Sequence, residues 1–348
     1  MDNTEVYVSG VGLHLARRMP VGEVVEHGLS DVRTVRRTGM RSVCVGKRSG
    51  PEMAVLAARA ALRMAGTAAS DVGAVLHAST WFQGHDLWAP AAYVQREAVG
   101  NACLSVDVGQ LSNGGMAALE LAVARLRAES ATGPHSALIT TGDRFCLPGF
   151  DRWHTDPGTV CGDGGTALVL SRNTGFARLR SLVTVSDPTL EAMGRDAAGF
   201  APAPLGARAP ISVAASRERL VKEVGLTRLL DLLRAGQRTA FDRALSDAGA
   251  KPSDVAWFVL PNLGRPKMDA QFFQVLDIEP ERTTWSWGSG VGHLGAGDPF
   301  AGLARLAGTK ALHPGQLCAL LSAGGGFAWS VAVLETVAEP PPSPPFDE

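Results

Sequence analysis

The segment Ala61-Leu62-Arg63-Met64-Ala65-Gly66-Thr67-Ala68-Ala69-Ser70-Asp71-Val72 returns 183 residues later as Ala244-Leu245-Ser246-Asp247-Ala248-Gly249-Ala250-Lys251-Pro252-Ser253-Asp254-Val255, with seven identities and no gap. Each copy closes an apolar helix, turns at a glycine and enters a strand, over 74–76 in the first case and 257–260 in the second. A second pair keeps the same order: Ala137-Leu138-Ile139-Thr140-Thr141-Gly142 answers to Ala319-Leu320-Leu321-Ser322-Ala323-Gly324. Two matched segments in one order predict a duplicated α/β chain. Around them, strands are expected at 6–11, 72–77, 137–141 and 166–170, and helices at 51–65, 116–127 and 220–233. Residues 1–175 then form an N-terminal half and 236–338 a C-terminal half. Between them 176–235 acts as a connecting insertion or cap, whose 187–216 portion is rich in Ala, Pro and Gly. The tail 339–348, EPPPSPPFDE, is expected to be extended and poorly ordered.

Composition narrows the function. Hydrophobic residues at 45% and charged residues at 19% of 348 support a large core. Lys+Arg number 33 against Asp+Glu 34, with no basic stripe, which argues against a nucleic-acid partner. No run approaches ~18 apolar residues and no basic-then-apolar leader opens the chain, so a cytoplasmic protein without a membrane partner is expected. Five scattered cysteines without CxxC spacing argue against a disulfide framework or a zinc site.

Chemistry concentrates in two glycine-rich loops. In Ser105-Val-Asp-Val-Gly-Gln-Leu-Ser-Asn-Gly-Gly-Met116 a strand runs into Ser112 and a helix follows. That places a hydroxyl on a tight turn at a helix N-terminus, where developing negative charge is favoured. An N-cap serine fits the local residues equally well. The second loop, Trp287-Gly-Ser-Gly-Val-Gly-His-Leu-Gly-Ala-Gly-Asp298, supplies His293 as a base. Asp298 lies five residues on, either orienting the ring or capping the helix after Pro299. The two loops hold corresponding places in the two halves, so a pseudo-twofold axis would bring Ser112 and His293 together. The Ser322-Ala-Gly-Gly-Gly-Phe327 turn can lend a backbone N–H to an oxyanion, while Gly162-Asp163-Gly164-Gly165 fits a structural turn. His77 and His85, with Trp81, Phe82 and Trp88 nearby, do not make a metal set, and the aromatics fit a pocket wall or a dimer contact. Gly290-Val-Gly292-His-Leu-Gly295 has no strand leading into it and opens no dinucleotide site.

Together these residues resemble the ketoacyl-carrier-protein synthase III-like enzymes of the thiolase superfamily, from Val6 to about Leu334. The likeness rests on Arg37-Thr38-Gly39-Met40-Arg41, the 107–114 loop, Gly162-Asp163-Gly164, and Gly324-Gly-Gly-Phe-Ala-Trp329. It implies a five-layered αβαβα fold of two duplicated halves and a homodimer. The departures carry more information. Condensing members place a cysteine five residues after the aspartate, where Asp107 here leads to Ser112. Their His-Gln-Ala-Asn segment corresponds to Pro261-Asn262-Leu263-Gly264, and their Gly-Asn motif to Gly292-His293. The His and Asn that stabilise the enolate from malonyl decarboxylation are thus missing. Gly292-His293 through Asp298 instead matches the GHxxxxD motif of the ketosynthase III-like acyltransferases of antibiotic and polyketide biosynthesis, some of whose relatives use serine.

That resemblance implies catalytic Ser112, His293 and Asp298, with the Ser112 and Gly325 amides as oxyanion hole. Trp81, Trp88 and Trp153 are expected at the substrate, the first and last in segments that look like the same branch. Arg33 stands where coenzyme A users often carry a stacking tryptophan, which favours a carrier-protein donor over coenzyme A. No cofactor is implied beyond the donor's phosphopantetheine arm. The expected activity moves an acyl group from a thioester through acyl-Ser112 to a hydroxyl, amine or carrier thiol. The alternatives are a starter-unit ketosynthase III that condenses a short acyl thioester with malonyl-carrier protein, and a non-catalytic subunit that binds acyl-carrier protein.

Overall fold

A computed structural model describes residues 5–130, 132–195, 199–206 and 208–342, so most of the proline-rich tail lies outside the described residues. Its strands are β1 (Tyr7–Leu15), β2 (Arg18–Pro20), β3 (Ser42–Cys44), β4 (Val72–Ala78), β5 (Leu104–Val108), β6 (Ser136–Asp143), β7 (Gly164–Ser171), β8 (Ala177–Ser186), β9 (Val255–Val259), β10 (Leu317–Gly324) and β11 (Ala328–Thr336). Nine of them make one ladder in the order β5-β4-β6-β7-β1-β8-β11-β10-β9. The duplication is written in its directions. β4 and β6 are parallel, then β6–β7 and β7–β1 are antiparallel. The second half repeats this with β9–β10 parallel, then β10–β11 and β11–β8 antiparallel. In the ladder the halves meet at β1 and β8, through Tyr7–Arg178 and Val8–Ala177. In the place of β5 the second half has a single bridge, Phe258 to Thr283.

Alternation along the strands divides the core into layers. Val75, Leu138, Ala167 and Val169 face outward from the first half onto Ala54, Ala57, Ala58 and Ala61 of the Gly50–Ala65 helix. Leu76, Ile139 and Leu168 face inward and share one cluster with Leu320 and Ala332 of the second half. Met116 and Leu119 of the Gly114–Ala128 helix, with Phe300 and Leu303 of the Asp298–Gly308 helix, fill the space between. Leu321, Val331 and Val333 face outward again, onto Ala240, Phe241 and Ala244 of the Leu226–Ala248 helix. The result is the five-layered αβαβα arrangement of the thiolase fold.

Local sequence explains the outer helix and its depth. Ser49 and Glu52 form a capping box, Pro51 occupies the first turn, and Gly66 ends the helix in the left-handed conformation. On β1, a Cβ at Gly10 would fall 2.2 Å from the Ala61 carbonyl oxygen, and one at Gly12 1.9 Å from that of Ala57. Glycine on the strand and alanine on the helix permit that approach.

Two boundaries differ from expectation. The helix expected at 220–233 is two helices, Val213–Val224 and Leu226–Ala248, broken at Gly225 with φ +83°. Polar residues after Leu233 hide the continuation, and Gly236 there makes room for the Trp329 ring. The 176–235 segment is also less of an insertion than expected. Its first residues form β8, paired with β11 from Ala177 to Ser186. After β8 the chain makes the short Pro188–Met193 turn of helix on its way to the Val213–Val224 helix.

Candidate active site

β5 delivers the chain to a one-turn helix, Leu111–Asn113, before the Gly114–Ala128 helix begins. Leu111 takes φ +47°, a left-handed conformation that costs a non-glycine residue about 1–2 kcal/mol. The turn is nonetheless pinned from below. Asn113 is fully buried, and its Nδ2 donates to Gln110 Oε1 at 2.8 Å and to Ser330 Oγ on β11 at 2.9 Å. Ser322 on β10 donates its hydroxyl to the Ser112 carbonyl at 3.0 Å. A Cβ on Gly324 would come within 3.0 Å of the Ser112 Cβ, so only glycine lets β10 close over the serine.

The second loop crosses to the same place. His293 forms an isolated parallel bridge with Cys161: its N–H donates to the Val160 carbonyl at 2.8 Å, and Gly162 N–H donates to the His293 carbonyl at 2.9 Å. Gly162 fits because a Cβ there would meet the Val291 carbonyl at 2.4 Å. The glycine turn at 162–165, structural by its sequence, is thus the rail that carries His293. Its Asp163 is also structural: the buried carboxylate pairs with Arg152 at 2.9 Å and accepts the Gly46 and Phe145 amides.

Ser112 Oγ lies 2.8 Å from His293 Nε2, and His293 Nδ1 lies 2.5 Å from Asp298 Oδ2. Neither of the capping alternatives is what the structure adopts. Ser112 makes no cap hydrogen bond, and Asp298 turns back into its own loop instead of capping the helix. The Asp298 oxygens accept from Asn262 N (2.8 Å), Asn262 Nδ2 (3.0 Å) and Leu294 N (2.8 Å) besides the imidazole. A carboxylate so surrounded by donors can only accept, so Nδ1 carries a proton and Nε2 of the neutral ring is free to receive the serine's. Burial lowers the imidazole's proton affinity, but the charge and hydrogen bond of Asp298 outweigh it, and the His293 pKa is raised above 6.5. Exposure falls along the relay, from a half-buried Ser112 to His293 at 6% and Asp298 at 2%. Such a set can take a proton from the hydroxyl and hold the resulting imidazolium. Cys161, bridged to His293, is no rival nucleophile, since burial pushes its thiol well above its ordinary range.

The remaining expected residues are spread around this centre. The glycine turn at 324–326 sits over the nucleophile loop, with Gly324 against Ser112 and Gly325 against the Gln110 carbonyl. Trp81 packs with Phe145, Phe150 and Cys161, its ring 5.4 Å from that of Phe150. Trp88 is partly exposed and stacks edge-on to His85 at 5.2 Å. Arg33 is exposed on the Val32–Thr38 helix. Trp153 is buried among Val24, Val35, Met40, Val43 and Val160, which leaves it at most an edge for any substrate. Asn262, which holds Asp298 by two hydrogen bonds, has no signal of its own in the sequence beyond its place after β9.

Residues 245–336 match the family described as 3-oxoacyl-[acyl-carrier-protein (ACP)] synthase III, C-terminal. The β-ketoacyl-[acyl-carrier-protein] synthase III of Rhizorhabdus wittichii is 28% identical over 337 residues, covering 94% of this chain and 98% of that protein. Among solved structures, the acyltransferase ChlB3 superposes with a TM-score of 0.91 at 32% identity, covering 97% of this chain and 100% of that one. The 3-oxoacyl-[acyl-carrier-protein] synthase III of Aquifex aeolicus shares the fold, with a TM-score of 0.73 at 17% identity over 95% of this chain and 99% of that one.

Proposed function

This chain belongs to the ketosynthase III-like family of the thiolase superfamily and is a transferase of that type; we propose that it moves an acyl group from a carrier-protein or coenzyme A thioester, through acyl-Ser112, onto a hydroxyl, amine or carrier thiol in secondary-metabolite biosynthesis. One observation carries the proposal: Ser112 Oγ, His293 and Asp298 form one continuous hydrogen-bonded relay. His293 Nε2 takes the Ser112 proton as Oγ attacks the thioester carbonyl. The Ser112 and Gly325 amides are assigned to the oxyanion, where losing one such donor costs about 2.7–4 kcal/mol. Expulsion of the thiol takes the proton back from His293 and leaves the acyl-enzyme. His293 then takes the acceptor's proton as it attacks the acyl carbonyl, and hands that proton to Ser112 Oγ as the ester bond breaks and the product leaves.

Decarboxylative condensation finds little support in the same loop. Pro261 brings no side-chain donor, and Asn262 already serves Asp298 and the Gly292 carbonyl. Intact-protein mass spectrometry with a panel of acyl-carrier-protein and acyl-coenzyme A donors tests the proposal. An acyl increment on the wild type that is absent from Ser112→Ala is expected. An increment surviving in the variant would move the nucleophile elsewhere, and carbon dioxide release from malonyl-carrier protein would favour condensation.

A second copy of this chain is proposed as a partner at β5. This edge strand leaves Leu104 (56% exposed) and Val106 (36%) in water, an arrangement that invites pairing. Sedimentation velocity should find a dimer, and Val106→Lys should shift it toward monomer. A wild-type monomer at micromolar concentration would refute this pairing.

A further inference from the structure

A second carboxyl lies under the loop that carries the relay. Asp143 ends β6, is fully buried, and accepts the Thr80 amide at 2.9 Å and the Trp81 amide at 2.7 Å. Its Oδ2 sits where a Cβ on Gly295, two residues beyond His293, would come within 2.5 Å, and φ +61° there also demands glycine. The carboxyl therefore touches both the loop that holds His293 and Asp298 and the loop that positions Trp81. No lysine or arginine pairs with it among the described residues. Asp156 and Lys267 also act on His293, the first raising and the second lowering its pKa, but they are bound to each other at 2.7 Å, and the Cys161 thiol beside Asp143 is held neutral by burial; the other groups of the surrounding elements are engaged elsewhere. His77 on β4 bonds Thr140 and Gln83, Asp163 before β7 is tied to Arg152, and Glu52 closes its own capping box. Arg144, next in the chain, donates to the Lys47 carbonyl.

We propose that Asp143 is a positioning residue of the reaction, whose carboxylate is a second counter-charge to the imidazolium formed when Ser112 is acylated, while its amide contacts tie that charge to the 80–83 loop. The inference rests on the relay described above and extends it. Burial pushes the Asp143 carboxyl up to about 7, against the pull of the Trp81 and Thr80 amides and of the His293 charge. Asp298 raises the His293 pKa, and the His293 charge in turn pulls the Asp143 pKa down. Above neutrality Asp143 is ionised, with its charge against Gly295, two residues from His293. At lower pH the base is protonated and the second counter-charge is gone.

The test reads His293 directly and needs no acyl donor, so it stands apart from whether Ser112 is acylated. In Asp143→Asn the amide oxygen still accepts from Thr80 and Trp81, but the charge is absent. Nitrogen-15 NMR of the His293 ring should show a single-site titration moved to lower pH by about half a unit or more. Superimposable titrations in wild type and variant would reduce Asp143 to a loop anchor and overturn the proposal. The reciprocal arm uses His293→Gln with carbon-13 carboxyl labelling of aspartate. The Asp143 midpoint should rise when the imidazolium is lost. An Asp143 midpoint left unmoved by His293→Gln would overturn the proposal even if Asp143→Asn failed to fold.

Discussion

Replacing His293 by alanine is expected to slow acylation of Ser112 by about 10³- to 10⁴-fold, read as the rate of the acyl mass increment under single-turnover conditions. The size follows from the nucleophile. A serine hydroxyl is uncharged at any physiological pH and attacks only as its proton leaves, whereas a cysteine is a few per cent thiolate without help. Here the proton has one well-placed acceptor, Nε2 at 2.8 Å, on an imidazole only 6% exposed. The dependence on His293 should therefore shrink when the nucleophile is changed. In a Ser112→Cys background the same His293→Ala substitution is expected to cost at least about tenfold less. The pH profile gives an independent sign. Because Asp298 raises the His293 pKa, the wild-type rate should climb with pH through a midpoint above 6.5 and then level off. Near wild-type acylation by His293→Ala would remove His293 from the mechanism.

The duplicated helix–turn–strand segments and the three relay residues were legible because each leaves a short-range mark. Glycine ends both helices that close the repeat, and Ser112, His293 and Asp298 each sit at the mouth of a helix in a glycine-rich loop. Choosing between nucleophile and N-cap for Ser112, or orienter and cap for Asp298, was beyond local sequence, because the deciding partner is 181 residues away in one case and a backbone reversal in the other. Residues that act only through tertiary contact left no pattern. Asn262 reaches Asp298 across 36 positions, Ser322 reaches the Ser112 carbonyl across 210, and Asp143 meets Thr80 across 63. Burial hid Trp153 in a different way: an aromatic beside polar residues in sequence turned out to fill a small core of valines.

Asp298→Asn should be nearly as damaging to acylation as loss of His293, about 10⁴-fold by analogy with orienting carboxylates elsewhere, and should also cost stability. Asp298 is met by four N–H donors: two from Asn262, one from Leu294 and one from the imidazole. An asparagine offers one acceptor oxygen and one donor nitrogen in the same space. If the nitrogen faces Asn262 and His293, the ring must turn its unprotonated Nδ1 toward it. The proton then sits on Nε2, which donates to Ser112 and can no longer receive from it. If instead the nitrogen faces the other pair, the Leu294 amide and the Asn262 side chain lose their acceptor, at about 1–3 kcal/mol for each buried donor left unpaired. Either orientation sets donor against donor in a site 2% exposed, so a fall in thermal midpoint should accompany the fall in rate. Nitrogen-15 chemical shifts of His293 distinguish the two, because they report which ring nitrogen holds the proton. Asn262→Ala removes one side-chain donor and leaves the carboxylate charge in place, so its effect on acylation should be far smaller. An Asp298→Asn protein that acylates within about tenfold of wild type would show that the carboxylate only shapes the loop, and that the base works without it.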